Sequence, residues 1–226
     1  MLGPWWITLA TLTLVLGIGI NYAALFRQTI QDLLPFVALG LVIWGYISST
    51  ISEGGEAFVN GASMIRQSSI PLPVFILRCQ IRNIITLAHQ AVIVVGVMIW
   101  FKIFPGVGIL WAIPGLLLVT ANLGWIALML AMASARFRDM PQIIGAALQL
   151  LFFLSPIIWR PTDKLLSNPL VSRNPFYFSV QTIREPLLHG VVPAGAFEWL
   201  VPIAVIGWMS TMLIYNQTRR RVVHYL

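Results

Sequence analysis

Long apolar segments separated by short polar ones dominate the pattern of this chain. At 1.5 Å per helical residue, about twenty apolar residues span the roughly 30 Å hydrocarbon core of a bilayer. Six segments approach that length, and each is predicted to be a membrane-spanning helix. They are residues 5–26, 33–51, 84–101, 107–135, 140–159 and 197–215.

The composition agrees with a membrane location. Hydrophobic residues make up 58% of the 226 residues and charged residues only 9%, whereas about a quarter of a soluble domain is charged. The sequence therefore predicts an all-α integral membrane protein with one domain over residues 1–226. The net charge of +7 comes from short basic runs and not from a continuous stripe, so nucleic acid is not a predicted partner.

Basic residues orient the predicted spans, because short loops rich in lysine and arginine stay in the cytoplasm. With a cytoplasmic N-terminus, most arginines become cytoplasmic: Arg66, Arg78, Arg82, Arg136, Arg138, Arg219, Arg220 and Arg221. The short outer loops then carry only Arg27 and Lys102, and a long outer segment carries Arg160, Lys164, Arg173 and Arg184. Both termini are therefore predicted to be cytoplasmic.

A polar segment, 52–73, separates the second and third predicted spans. Thr50 and Glu53 fit the spacing of a helix start, and two prolines near residue 73 would end that helix, so the segment predicts a short cytoplasmic helix. Its mixture of apolar and charged residues suits docking on a cytosolic partner, and an interfacial helix fits equally well. The candidate contact residues are Glu53, Glu56, Phe58, Met64 and Arg66.

The outer segment, 160–198, is rich in aromatic and aliphatic residues. Pro175 and Pro186 predict helices of no more than about ten residues there, too short to cross a bilayer. The segment is predicted to form short helices that dip into the outer leaflet and line or close an exit, with a surface loop as the alternative. The candidate gate residues are Pro175, Phe176, Tyr177 and Phe178.

Motifs for nucleotide hydrolysis and metal binding are absent from the sequence. It contains no GxxxxGK[ST], HExxH or GxSxG pattern and no zinc spacing of Cys and His. The chain is therefore predicted to bind neither ATP nor a metal ion. His89 and Asn122, inside predicted spans, are either functional groups or hydrogen-bonding links between helices.

Several aromatic residues are candidates for a conduit. Trp44 and Trp125 lie near the middle of predicted spans, where an indole stacks on a sugar ring or packs between helices. Phe152 and Phe153 lie in the fifth span. These four residues are the candidate channel-lining set.

Specific stretches of the chain resemble a known family. They are LGPWW at 2–6, FVALGLVIWGYISSTISEG at 36–54, ARFRDMPQII at 135–144, LFFLSPIIW at 151–159 and NPFYF at 174–178. The resemblance is to the permeases of type-2 ABC exporters for polysaccharides, which move lipid-linked O-antigen, capsule or teichoic acid chains. It implies a homodimer that encloses a channel in the inner membrane of a bacterium. Each subunit would bind a separate ATPase subunit that holds ATP and magnesium.

The resemblance also implies roles for individual segments. A coupling helix would match 52–70, and outer gate helices would lie between the fifth and sixth spans. The loop with Arg136, Arg138 and Asp139 would anchor topology and contact the ATPases, in preference to a dedicated site for the carrier's pyrophosphate. Family members usually have an amphipathic stretch before the LGP motif, whereas this sequence starts almost at that motif.

Three other functions stay open at this point. One is an exporter of drugs or small lipids, although LFFLSPIIW and NPFYF favour a glycan. A second is a membrane enzyme acting on lipids with His89 or Asp139 as its base, although the ionisable residues do not converge on one face. A third is a passive channel or structural subunit that works without an ATPase.

Overall fold

The computed structural model describes residues 5–67, 70–161 and 168–226, which form helices and connecting turns without a β-strand. Within these ranges lie nine α-helices and one 3₁₀ helix. They are α1 (Trp5–Phe26), α2 (Ile30–Asn60), α3 (Ala62–Gln67), α4 (Pro73–Trp100), the 3₁₀ helix (Gly106–Trp111), α5 (Ala112–Arg136), α6 (Met140–Leu154), α7 (Pro169–Ser172), α8 (Pro175–His189) and α9 (Ala194–Tyr225).

Within the described part of the chain, five helical segments are long and apolar enough to cross a membrane: α1, α2, α4, the 3₁₀ helix with α5, and α9. The predicted span 140–159 is helical only over Met140–Leu154, 15 residues or about 22 Å. The helix ends at Ser155 because Pro156 disfavours the helical conformation in the residue before it. The all-helical class is confirmed with five such segments, and a sixth span stays a prediction.

The predicted start of a separate helix near Thr50 is wrong. The Thr50 hydroxyl donates to the Tyr46 carbonyl at 2.7 Å, inside α2, which continues to Asn60. Gly54 does not interrupt α2, because its missing Cβ lets Ala127 of α5 pack closely there and so offsets glycine's low helix propensity. Most of the predicted polar helix is therefore the end of α2, followed by the short α3.

Some predicted features lie outside the described residues. These are residues 2–4 of the LGPWW stretch, 68–69 of the polar segment, and 162–167 of the outer segment, which include Lys164.

Helix α2 forms the centre of the structure and contacts α1, α4, α5, α6 and α8. In its most apolar window 78% of the residues are buried, compared with 22% in α1, α4 and α9. Those three helices therefore keep large apolar faces for lipid or for another subunit.

The two ends of the helices carry different sites. We call one the Glu53 end, where α2 and α5 finish and α4 and α6 begin. We call the other the Arg184 end, where the segment after α6 and helix α8 lie against the beginnings of α2 and α5. At this second end, a Cβ on Gly40 or Gly115 would lie 2.3 Å from the carbonyl oxygen of Ile157 or Thr182 respectively. Only glycine permits such close approach, so in this conformation the segment after α6 packs directly on α2 and α8 packs directly on α5.

Candidate functional site

A polar cluster at the Glu53 end joins α2 to α4. Glu53 Oε2 accepts a hydrogen bond from Arg82 Nη2 at 2.6 Å and another from Asn83 Nδ2 at 2.8 Å, and Cys79 Sγ lies 3.8 Å away. Arg82 and Asn83 lie three and four positions after Cys79, so all three residues lie on the same side of α4. We call these four residues the Glu53 cluster. One carboxylate thus links two helices.

A groove of about 330 Å³ lies beside the Glu53 cluster. It is built from the end of α2, from α3 and from the beginning of α4. Its lining combines charged, amide and apolar side chains, including Glu56, Asn60, Met64, Phe75 and Arg78. Such a mixed surface can accept a segment of another protein through both ionic and apolar contacts.

The structure separates the five candidate coupling residues. Glu53, Glu56 and Met64 line the groove. Phe58 has 0% exposure and packs in a hydrophobic cluster with residues of α4, α5 and α9, so it offers no surface to another subunit in this conformation. Arg66 donates from Nη2 to the backbone carbonyl of Leu226 and so ties α3 to the end of α9. Their roles in coupling stay predictions.

The loop between α5 and α6 lies at the same end as the groove. Arg136, Arg138 and Asp139 are all exposed. The Arg136 guanidinium lies 5.8 Å from the centre of the Tyr225 ring. Arg138 and Tyr225 also line a second cavity of about 340 Å³ beside the C-terminus. The loop is therefore accessible to a partner that binds at the Glu53 end.

Helix α8 corrects the prediction for the outer segment. It covers Pro175–His189, 15 residues, so the limit of about ten residues is wrong. Pro186 lies in the last turn, where its missing N–H removes one helical bond just before α8 ends at Gly190. At the other end, Asn174 Oδ1 caps the helix by accepting from the Phe176 N–H at 2.9 Å. The neighbouring α7 is only one turn long, and a gate role for these helices stays a prediction.

The aromatic residues of α8 pack against neighbouring helices. Phe178 stacks on Trp199 of α9 with ring centres 5.9 Å apart, and Phe176 lies 6.0 Å from Trp44 of α2. Tyr177 is buried, which raises the pKa of its phenol, and its hydroxyl oxygen accepts a hydrogen bond from Gln181 Nε2 at 2.6 Å. In this conformation they fix α8 against α2 and α9.

The candidate channel-lining residues fall into two places. Trp44 is 8% exposed and lies 5.9 Å from the Phe152 ring, which in turn contacts the 61% exposed Phe153. Trp125 lies apart from them, on α5 beside Gly207 of α9. Together with Phe176, the first group forms an aromatic cluster at the contact of α2, α6 and α8. Their exposure to a channel stays a prediction.

Asn122 and His89, the two candidate polar residues inside predicted spans, differ in their contacts. Asn122 Nδ2 donates to Leu118 O at 3.0 Å and to Leu200 O of α9 at 3.3 Å, which links α5 to α9. His89 Nδ1 bonds Ile85 O of its own helix at 2.7 Å, and its ring meets the edge of Trp5. Across the described residues, no group of three or more His, Cys, Asp or Glu is placed to hold a metal ion.

Sequence reasoning missed the position of Arg184. It was placed with the other basic residues of the outer segment, yet only 1% of its surface is exposed. Burial lowers the pKa of the Arg184 guanidinium to about 10, so it stays charged at neutral pH. In the sequence, Arg184 lies within a largely apolar stretch. That pattern alone does not distinguish a buried arginine from an exposed one.

No family model matches the chain. Two curated proteins that are similar to it are both named O-antigen export system permease protein RfbA, from Klebsiella pneumoniae. One is 20% identical over 212 residues, which cover 91% of this chain and 80% of the relative. The other is 20% identical over 231 aligned positions, which cover 100% of this chain and 88% of the relative.

These relatives are permeases by name, which supports a transporter subunit over an enzyme. Together with the five long apolar helices, they support a multi-pass inner-membrane protein. The resemblance predicted from the sequence motifs is thereby confirmed. Along nearly its whole length, the chain is similar to these two permeases of O-antigen export systems.

Proposed function

We propose that this chain is the membrane subunit of an ATP-driven exporter for a lipid-linked polysaccharide. The observation that carries the proposal is the similarity to O-antigen export permeases over at least 91% of the chain. Two copies of the chain would enclose the path through the inner membrane. ATP and magnesium would be held by a separate ATPase subunit, because the sequence contains no phosphate-binding loop.

The groove beside the Glu53 cluster is the proposed docking place for that ATPase. Glu56 and Arg78 offer charges of both signs, and Met64 and Phe75 offer apolar contacts between them. A partner segment with complementary charges around one or two apolar side chains would fit such a surface. The exposed loop at Arg136 lies at the same end and would add to the contact.

The Glu53 cluster suggests how motion would enter the membrane. ATP binding would close the partner ATPases and displace α3 and the end of α2. Because Glu53 joins α2 to Arg82 and Asn83 of α4, the two helices would move together. Because α2 also contacts α8, the same movement would reach the outer end. Weak, repeated contacts with aromatic and polar side chains would let a long polymer slide.

Deletion of the gene and its restoration on a plasmid test this proposal. The amounts of surface glycan and of carrier-linked glycan inside the cell are both measured. Export as the function predicts loss of surface glycan with intracellular accumulation, and the plasmid reverses both changes. Unchanged surface glycan contradicts the proposal and favours the exporter of small lipids.

A further inference from the structure

Arg184 of α8 contacts two other parts of the structure. It belongs to α8, and it is the largest side chain with less than 2% of its surface exposed among the described residues. Its guanidinium carbon lies 3.7 Å from the centre of the Phe36 ring on α2. Its Nη1 donates to the Pro156 carbonyl at 2.9 Å, in the segment after α6. Arg184 therefore connects α8 to α2 and to the end of α6.

Arg184 forms no ion pair with a carboxylate in the described part of the chain, although the charge of the neighbouring Glu185 attracts it. The ion pairs in the described part of the chain join Arg82 with Glu53 and His189 with Glu185, and neither includes Arg184. Its buried Nε–H has no hydrogen-bond partner in that part of the chain. Burying a cation without a direct ion pair is costly, so hydration favours any conformation that exposes it.

A second guanidinium adds to this tendency. Arg160 lies 5.3 Å from the centre of the same Phe36 ring, and its Nη2 donates to the Asp32 carbonyl at 2.7 Å. Two cations that share one ring repel each other. The attraction of the ring for each cation opposes that repulsion. The contact between α8 and α2 thus combines attraction between the ring and each cation with repulsion between the two cations.

We infer that Arg184 is a positioning residue that gives α8 two accessible positions. In the position described here, the Phe36 ring and the Pro156 carbonyl hold α8 against α2. In the other position α8 has moved away from both α2 and α5, and the guanidinium is hydrated. The idea that this movement opens an exit for glycan rests on the proposed function. The inference that α8 has two positions does not depend on it.

Labelling of a buried thiol on α8 tests the inference. Thr182 is fully buried on α8 and faces Gly115 of α5, so a cysteine there reacts only when α8 moves away from α5. The full chain carries Thr182→Cys together with Cys79→Ser, which removes its native thiol. Native membranes containing this chain are treated with a charged maleimide. The labelling rate then follows the fraction of time that α8 spends in the open position.

Three variants in this background give results of defined direction. Arg184→Met removes the charge and keeps much of the volume, so labelling should slow by about fivefold or more. Arg184→Lys keeps the charge without the planar contact to the ring, so labelling should become faster. Phe36→Leu removes the attraction for the cation and should also speed labelling. Arg173→Met, at an exposed arginine, is the matched control and should leave the rate unchanged.

A purely structural role for Arg184 predicts a different pattern. If Arg184 only contributed contacts that hold α8, the Met and Lys variants would both label faster, and that result overturns the inference. If the Met variant does not fold, labelling of the Lys variant no faster than the parent overturns it as well. The labelling uses neither glycan nor ATP, so a failed export assay with this labelling pattern would refute only the proposed function.

Discussion

The Glu53 cluster gives a prediction that separates a link between helices from a docking contact. Glu53→Gln keeps the size of the side chain and one oxygen acceptor but removes its charge. The hydrogen bond from Asn83 then loses its charge assistance, and the bond from Arg82 keeps only the charge of its donor. We expect α2 and α4 to be held together less firmly, with a lower free energy of unfolding.

The expected size follows from the exposure of each partner. Asn83 is 3% exposed, and a hydrogen bond to a charged group contributes about 1.5–3 kcal/mol compared with about 0.5–1.5 kcal/mol for a neutral one. The Arg82 and Glu53 side chains are 67% and 41% exposed, so that pair contributes less than about 1 kcal/mol. Asn83 also donates to the Cys79 carbonyl at 3.1 Å and is not left unpaired. Glu53→Gln should therefore cost about 1–2 kcal/mol.

The assay is a denaturant titration of the purified chain in mixed micelles. Glu56→Gln is the matched control, since Glu56 lies on the same helix and in the same groove but, among the described residues, accepts only an exposed bond from Asn60 within α2. We expect Glu56→Gln to change the free energy of unfolding by less than about 0.5 kcal/mol. In an assay of ATPase binding, the order should reverse, with the larger loss of affinity in Glu56→Gln.

Double-mutant cycles show which α4 residue carries the link. Combining Glu53→Ala with Asn83→Ala should give a coupling energy of about 1–2 kcal/mol, larger than that of Glu53→Ala with Arg82→Ala. Equal stability of Glu53→Gln and Glu56→Gln, or a larger coupling with Arg82, would refute the reasoning.

Three further substitutions test the packing around the two sites. Phe58→Ala should cost about 3–5 kcal/mol in the same titration because it empties a fully buried position; a loss below about 1 kcal/mol would contradict its burial. Tyr46→Phe removes the bond of 2.8 Å between Tyr46 and Thr120, which joins α2 to α5, and should cost about 0.5–1.5 kcal/mol. Asn174→Ala removes both the α8 cap and a buried bond to Ser155, so it should cost about 1–3 kcal/mol and increase hydrogen exchange in the first turn of α8; unchanged exchange there would show that the cap does not hold α8.

The sequence predicted the membrane-spanning segments better than their ends. Apolar runs predict spans because bilayer thickness alone sets their length. The sequence did not predict that α2 continues beyond residue 51 or that α4 begins at Pro73. The polar residues at the Glu53 end are helical in contact with neighbouring helices, and an apolar run does not reveal such contacts. Proline was also misread in α8, where Pro186 lies in the last turn and does not end the helix before it.

The candidate sites were only partly predictable for the same reason. The sequence pattern selected Glu53 and Glu56 as candidate contact residues for a partner. Both line the groove. The pattern did not predict that Glu53 bonds to α4 or that Phe58 is fully buried, since both facts depend on residues distant in the sequence. The contact of Arg184 with Phe36 joins α8 to α2, and local pattern carries no information about such a pair.

Reconstituted transport tests the central claim most directly. The full chain and its ATPase subunit are placed together in lipid vesicles, and the movement of carrier-linked glycan across the vesicle membrane is followed with and without ATP. The account predicts movement that requires ATP and both subunits, and that decreases in Glu56→Gln. Movement without ATP or without the ATPase, or no movement of glycan by the assembled complex, would contradict it.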